Sequence, residues 1–220
     1  MALVGGVDEA GRGPVIGPLV VAGVAVEEGK LRELAKLAKD SKVLTPIQRE
    51  KRSIRILSLV DKVSVEIVPP SEIDAWVGKP SRGLNSLEAK VFAKVIEKLG
   101  VDIVYVDACD VKPERFARRI SEELGGGVKV IAEFKADANH SVVSAASIIA
   151  KVVRDGEIST IKSAFGEVGS GYPSDARTLR FLRRCYAREG SFPSCVRTSY
   201  KTLKRIIQRC QSQPTKRSGR

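Results

Sequence analysis

Apolar positions along the chain recur in two rhythms. An unbroken run from Leu3 to Val7 and a longer Val-rich run from Gly17 to Val26, bounded by Gly and Pro, predict buried strands. Val63, Val65 and Ile67 alternate with polar neighbours, as on a half-buried strand over Val63–Val68. Elsewhere the spacing lengthens to three and four. Leucines at 31, 34 and 37 predict a helix over Leu31–Ala38, and Leu87, Val91, Val95 and Leu99 form one stripe of a helix over Ser86–Leu99. Gly100 ends that helix, while Thr45 and Pro46 start an earlier one as N-cap and first-turn proline. Val101–Val106 reads as a strand that delivers Asp107 at its end. Pro113–Leu124 reads as a helix leading through Gly125-Gly126-Gly127 into a strand over Val128–Ala132. Ser144–Val153 is almost wholly apolar or small and predicts a buried helix.

Three β-like segments followed by alternating helix and strand predict an α/β fold with a central mixed five-stranded sheet flanked by helices. The Gly/Ser/Pro stretch Gly166–Asp175 marks a boundary. It divides the chain into a body at residues 1–165, a helical extension at 166–210 packed on it, and a tail at 211–220 expected to be disordered. The extension holds predicted helices over Asp175–Arg188 and Tyr200–Cys210, separated by a turn at Phe192-Pro193.

Charge changes the picture at that boundary. The 220 residues carry a net charge of +12, and from Ala176 to Arg220 there are 13 Lys or Arg against one acid, Glu189. The remainder holds 25 basic and 25 acidic residues, so the surplus lies in the extension. A neutral body with a basic end points to a polyanionic partner, because each neutralised phosphate releases condensed counterions. No stretch approaches the ~18 apolar residues of a membrane span, and the first residues lack the pattern of a secretory signal. A cytoplasmic location is expected. The cysteines Cys109, Cys185, Cys195 and Cys210 form no C-x-x-C pair and His140 is the only histidine, so free thiols are expected rather than a structural zinc site.

Three acids follow or flank predicted strands: Asp8, Asp107 and Asp137. Strand ends converge at a sheet edge, and carboxylates crowded there repel unless cations lie between them. Hard oxygen ligands suit Mg²⁺ or Mn²⁺, and a pair of such ions serves phosphoryl transfer. Any one of these acids taken alone is as well explained as a helix cap. Glu9 neighbours Asp8, and adjacent strand residues point to opposite faces, so either the strand ends or bends there, as Gly11 and Gly13 allow, or Glu9 acts through water or its carbonyl. Gly11-Arg12-Gly13 is neither a Walker A nor a dinucleotide fingerprint. Its backbone could approach a sugar closely, where a 2′-hydroxyl separates RNA from DNA.

These residues resemble the type 2 ribonucleases H, specifically archaeal ribonuclease HII. The resemblance runs from about Gly6 to Lys204 through Gly6–Pro14, Asp40-Ser41-Lys42, Tyr105-Val106-Asp107, Lys135-Ala136-Asp137, Ser144–Lys151 and Gly169–Asp175. It implies a ribonuclease H-like fold and Mg²⁺- or Mn²⁺-dependent hydrolysis, with two ions during catalysis. The implied substrates are RNA–DNA hybrids and ribonucleotides embedded in duplex DNA, cut to leave a 5′-phosphate and a 3′-hydroxyl. The family's four acids fall on Asp8, Glu9, Asp107 and Asp137. Gly11, Arg12 and Gly13 match the segment that senses the 2′-hydroxyl, Tyr172 the tyrosine that packs on the junction sugar, and Lys42 a phosphate contact. Where many archaeal members carry Trp-Lys-Thr, this chain has Tyr200-Lys201-Thr202. The resemblance favours a monomer. The tail has no Phe, Leu or Ile, so sliding-clamp docking by a C-terminal apolar motif is not expected.

Arg177, Arg180, Arg184 and Arg188 fall at helical spacing, as a phosphate track would. Two alternatives remain at this level. A nucleic-acid scaffold without catalysis fits the basic end, but not acids set against a polyanion. Another nuclease or recombinase of the same fold would ignore the ribonucleotide.

Overall fold

The computed structural model describes residues 3–39, 43–77, 79 and 83–212, the last four for backbone only. Lys42, with the rest of Asp40-Ser41-Lys42, and positions 213–220 of the tail lie outside the described residues. The sheet comprises β1 (Leu3–Ala10), β2 (Leu19–Glu27), β3 (Lys62–Val68), β4 (Ile103–Asp107) and β5 (Lys129–Glu133), in the order β3-β2-β1-β4-β5. β2 is antiparallel to both neighbours, whereas β4 and β5 run parallel to β1. The expected mixed five-stranded sheet is therefore present.

Helices cover both faces. On one side α1 (Leu31–Ala38), α2 (Pro46–Leu59) and α7 (Ser141–Phe165) pack with Val20, Ala22 and Val24 of β2. On the other, α3 (Pro70–Val77), α4 (Leu84–Leu99) and α5 (Pro113–Leu124) enclose Val7, Val104 and Val106 around Phe92 and Phe116. The stripe Leu87, Val91, Val95 and Leu99 is buried as its spacing predicts, and Gly100 caps α4 in the left-handed region at φ 57°. Thr45 and Gln48 form a capping box at the start of α2, with Pro46 in its first turn.

Several bounds differ from those expected. α7 runs 25 residues rather than ten, because beyond Val153 it keeps only an occasional core contact such as Ile158 and its other faces are solvated. α3 begins at Pro70, a residue that reads as a break but fits a first helical turn. The four-residue α6 (Ala136–Asn139) is too short to leave a periodic trace.

The small residues of α7 have a positional reason. A β-carbon on Gly6 of β1 would lie 2.3 Å from the Val142 backbone carbon, so glycine lets the start of α7 lie directly on the sheet. That contact sets the depth at which the next inward-facing side chain of β1, Asp8, meets the helix.

The extension carries α8 (Ala176–Glu189) and α9 (Lys201–Ser212), the latter ending two residues beyond the expected Cys210. Phe181, Leu182, Val196, Leu203 and Ile206 form a separate apolar cluster with Val15 and Ile16, the segment linking β1 to β2. A bridge between Ile16 and Val196 continues that attachment. The extension is thus anchored to the loop that follows Asp8 and Glu9.

Candidate active site

β1 does not end at Asp8. Asp8 pairs with Ala22, Glu9 with Val21 and Ala10 with Val20 in regular antiparallel register, which corrects the expectation of a strand end or bend there. The two side chains start from opposite faces, yet their carboxyls meet at the sheet edge, where Glu9 shares a side-chain hydrogen bond with Asp8. Asp8, buried, faces α7 and hydrogen-bonds the side chain of Ser147. Ser147 Oγ in turn accepts from Lys151 Nζ at 2.7 Å. Glu9, half-buried, faces α4, and its Oε2 accepts from the Cys109 thiol at 3.2 Å. The turn comes two residues later, at Gly11 with φ 88°. A β-carbon there would lie 2.6 Å from the Pro18 carbonyl oxygen, so only glycine fits.

Asp107 is the last residue of β4, as expected, and its Oδ1 accepts from the Ala136 backbone N–H at 2.9 Å. The bland capping role is therefore real for one of its oxygens. The bond ties β4 to α6, which carries the buried Asp137. Lys135, immediately before α6, is the one non-glycine residue with positive φ among those described, at 56°, a strained turn just ahead of Asp137.

The edge is crowded with charge of one sign. Burial, then Glu9 and Asp107, hold the Asp8 carboxyl well above its ordinary value, despite the Ser147 and backbone hydrogen bonds. Burial, then Glu88 and Asp107, push Glu9 up to about 7. Glu88, fully buried on α4, is also raised to about 7, chiefly by burial and against the pull of Arg12. A carboxyl raised in the folded state favours folding while it holds its proton. That contribution is complete below about 4.5 and is lost as pH rises through about 7. In chelator, the melting temperature is therefore expected to fall between pH 4.5 and pH 7. Carboxyls with lowered values, such as Asp61 and Asp74, act below this window. A melting temperature that rises across it would contradict the burial of these acids without a cation.

Gly11-Arg12-Gly13 is clamped from behind. The fully buried Arg197 donates to the carbonyls of Gly11 (2.6 Å), Arg12 (3.1 Å) and Gly17 (2.9 Å). Tyr200 accepts from Arg197 at 2.8 Å and donates to the Arg12 carbonyl at 2.7 Å, so its hydroxyl is used on both sides. The Arg12 guanidinium turns inward, with Nε on Glu88 at 2.8 Å and Nη2 on Asn85 at 2.7 Å. Asp74 holds the segment before α9 in place by accepting from the backbone and hydroxyl groups of Thr198 and Ser199.

A groove of about 430 Å³ opens between Glu9, Gly11, Gly13, Lys151, Arg154 and Tyr172. The Tyr172 ring, 41% exposed, stands beside Gly13 and is backed by the Arg154 guanidinium at 5.3 Å from its centroid. Predicted site residues from two separate motifs, Glu9–Gly13 and Tyr172, thus share one depression with Lys151 of a third. Arg177, Arg180 and Arg184 are exposed along α8 and do not line this groove, and Arg177 pairs with Asp175 at 3.0 Å.

This geometry has known counterparts. The chain matches the family model for ribonuclease HII over residues 5–203. A ribonuclease HII from Pyrococcus abyssi is 50% identical over 209 residues, covering 94% of this chain and 92% of the relative. The chain belongs to the ribonuclease HII family. Membership makes it an enzyme of the ribonuclease H class, a hydrolase of RNA–DNA hybrids from a divalent-metal-dependent family. The crystal structure of ribonuclease H2 from Pyrococcus horikoshii OT3 superimposes with a TM-score of 0.88 at 45% identity, covering 96% of this chain and all of that one. The RNase HII in a PCNA:RNase HII complex from Archaeoglobus fulgidus gives a TM-score of 0.83 at 42% identity, covering 97% and 98% of the two chains. The ribonuclease H-like fold expected from the motifs is the fold observed.

Within this ribonuclease HII scaffold, four supporting residues receive no role from the sequence, although Ser147 lies within the Ser144–Lys151 motif. Ser147 and Cys109 touch Asp8 and Glu9, Arg197 clamps the glycine loop, and Glu88 anchors Arg12. Glu88 alone left a trace: it falls four residues after Leu84 and four before Phe92, an acid interrupting an apolar stripe. Arg197 left none, since a buried arginine in a loop has no periodicity.

Proposed function

We propose that this chain cleaves the RNA strand of RNA–DNA hybrids and cuts at single ribonucleotides embedded in duplex DNA, leaving 5′-phosphate and 3′-hydroxyl ends. The observation that carries this reading is the groove in which Glu9, the clamped Gly11–Gly13 loop and Tyr172 stand together. A carboxylate edge for hydrolysis and a backbone surface for a sugar are adjacent there.

The acids fit a divalent cation. Asp8, Glu9, Asp107 and Asp137 offer hard oxygens, and a cation offsets both the burial and the repulsion that raise Asp8 and Glu9. In this reading the four acids hold Mg²⁺ or Mn²⁺, two ions during catalysis. Bound there, the ions supply Lewis-acid stabilisation of the charge that develops on the scissile phosphate. Asp8 is steadied by Ser147, itself fixed by Lys151, whose ammonium lines the groove within reach of a phosphate. Asp107 holds α6, and with it Asp137, by its bond to Ala136.

Selectivity for RNA is assigned to the loop. With the Gly11 and Arg12 carbonyls bound by Arg197 and Tyr200, the backbone is rigid enough to discriminate a 2′-hydroxyl by close contact. Arg12 acts as its brace through Glu88, and the Tyr172 ring packs against the sugar at the junction. Lys42 contacts phosphate, and Arg177, Arg180 and Arg184 guide the duplex from the extension. The chain thus works as a catalytic body to residue 165 with a basic extension behind it.

Asp107→Asn is expected to remove cleavage of a labelled hybrid in Mn²⁺ while leaving hybrid affinity within a few-fold of wild type. Cleavage near the wild-type rate in this variant would remove Asp107 from the site.

A further inference from the structure

One set of ligating atoms shares only Glu9 with the family's four acids. A carboxylate oxygen of Glu9, one of Glu88 and the Sγ of Cys109 lie within 4.8 Å of one another, the one such group of acid, cysteine or histidine side chains among the described residues. Three elements converge to make it: Glu9 from β1, Glu88 from within α4, and Cys109 two residues beyond β4. It lies on the α4 face of the sheet, whereas Asp8 is bonded to Ser147 on the α7 face.

Glu88 is the informative member. Its side chain is fully buried, and Arg12 occupies only Oε1. Oε2 is buried with no hydrogen-bond partner among the described residues. A buried carboxylate oxygen left bare is costly, and such groups are rare unless a water or ion completes them. The donor set also differs in kind from a cluster of carboxylates. Two hard oxygens are joined by a soft sulfur, which disfavours Mg²⁺ and favours ions that accept thiolate. Charge agrees: with the thiol deprotonated on binding, two carboxylates and a thiolate would face one guanidinium, a surplus that a divalent cation cancels.

We propose that Glu9, Glu88 and Cys109 form a binding site for a thiophilic divalent cation of the Zn²⁺ and Co²⁺ class, adjoining the Asp8, Asp107 and Asp137 side of the sheet through Glu9. The Cys109 thiol loses its proton to solvent when the ion binds. Three protein ligands leave a fourth position for water. Occupation commits the Glu9 carboxylate to the α4 face and withdraws it from the catalytic edge, so an ion of this class inhibits cleavage. That consequence rests on the role given to Glu9 above; the binding itself does not.

The test is a Co²⁺ titration of the metal-free full chain, followed by the thiolate-to-cobalt charge-transfer absorption in the near ultraviolet. Wild type should develop the band with one equivalent of Co²⁺, and excess Mg²⁺ should not remove it. Cys109→Ser should abolish it. Glu88→Gln should weaken Co²⁺ binding by about 10–100-fold. Absence of the band in wild type, or its survival in Cys109→Ser, overturns the site. Should Cys109→Ser fail to fold, a Glu88→Gln affinity within twofold of wild type overturns it equally. Asp107→Asn separates this proposal from the catalytic reading. The band at wild-type affinity in an inactive Asp107→Asn supports both. The band with cleavage retained leaves the cation site and removes the catalytic assignment. No band with cleavage lost does the reverse.

Discussion

Replacing Asp8 with asparagine is expected to lower hybrid cleavage by on the order of 10³-fold or more, while making the metal-free protein more stable. The two effects have one cause. Asp8 is 5% exposed, and burial with Glu9 and Asp107 nearby disfavours its charge. Asparagine keeps the shape and an oxygen for the Glu9 backbone N–H, which Asp8 Oδ1 accepts at 2.8 Å. It removes only the charge. Folding no longer has to bury a repelled carboxylate, so the melting temperature in chelator should rise by a few degrees, at about 2–4 °C per kcal/mol for a domain of this size. Divalent metal should then stabilise the variant less than wild type. Single-turnover cleavage and melting curves with and without metal check both halves. A variant that loses activity and also melts lower would show Asp8 to be structural.

The second large effect lies far from the acids in sequence. Arg197→Met is expected to cost about 3–5 kcal/mol, because it leaves the buried Gly11 and Gly17 carbonyls without their donor. The Arg12 carbonyl keeps Tyr200. Denaturant unfolding reads the loss directly. In the surviving folded fraction, discrimination between a ribonucleotide and a deoxyribonucleotide should weaken more than hybrid binding does, since the loop loses its clamp while the basic groove remains. A destabilisation below about 1 kcal/mol would mean that the loop holds its shape without the extension.

Much of this architecture is legible in the residue pattern, for reasons that also explain the gaps. The stripe on α4 and the runs in β1, β2 and β4 announce themselves because burial on one face forces a period. Asp107 is legible as a strand terminus for the same reason. Asp137 is not placed by any period, since a four-residue helix and a strained Lys135 position it. The pairing of Asp8 with Glu9 misleads in one respect. Adjacent acids suggest a strand end, but the register continues to Ala10 and gives each acid a different face. The side chains that make the site rigid come from far along the chain, Arg197 from 180 or more residues beyond the carbonyls of Gly11 and Gly17 and Ser147 from more than 130 residues beyond Asp8, and only the folded chain brings them there.

The most direct measurement uses duplex DNA carrying one ribonucleotide, incubated with the protein and Mn²⁺ or Mg²⁺, with the ends of the products identified. The account predicts a cut at the ribonucleotide that leaves a 5′-phosphate and a 3′-hydroxyl, and no cut when metal is chelated. Cleavage that ignores the ribonucleotide, or an intact duplex in the presence of metal, would contradict it.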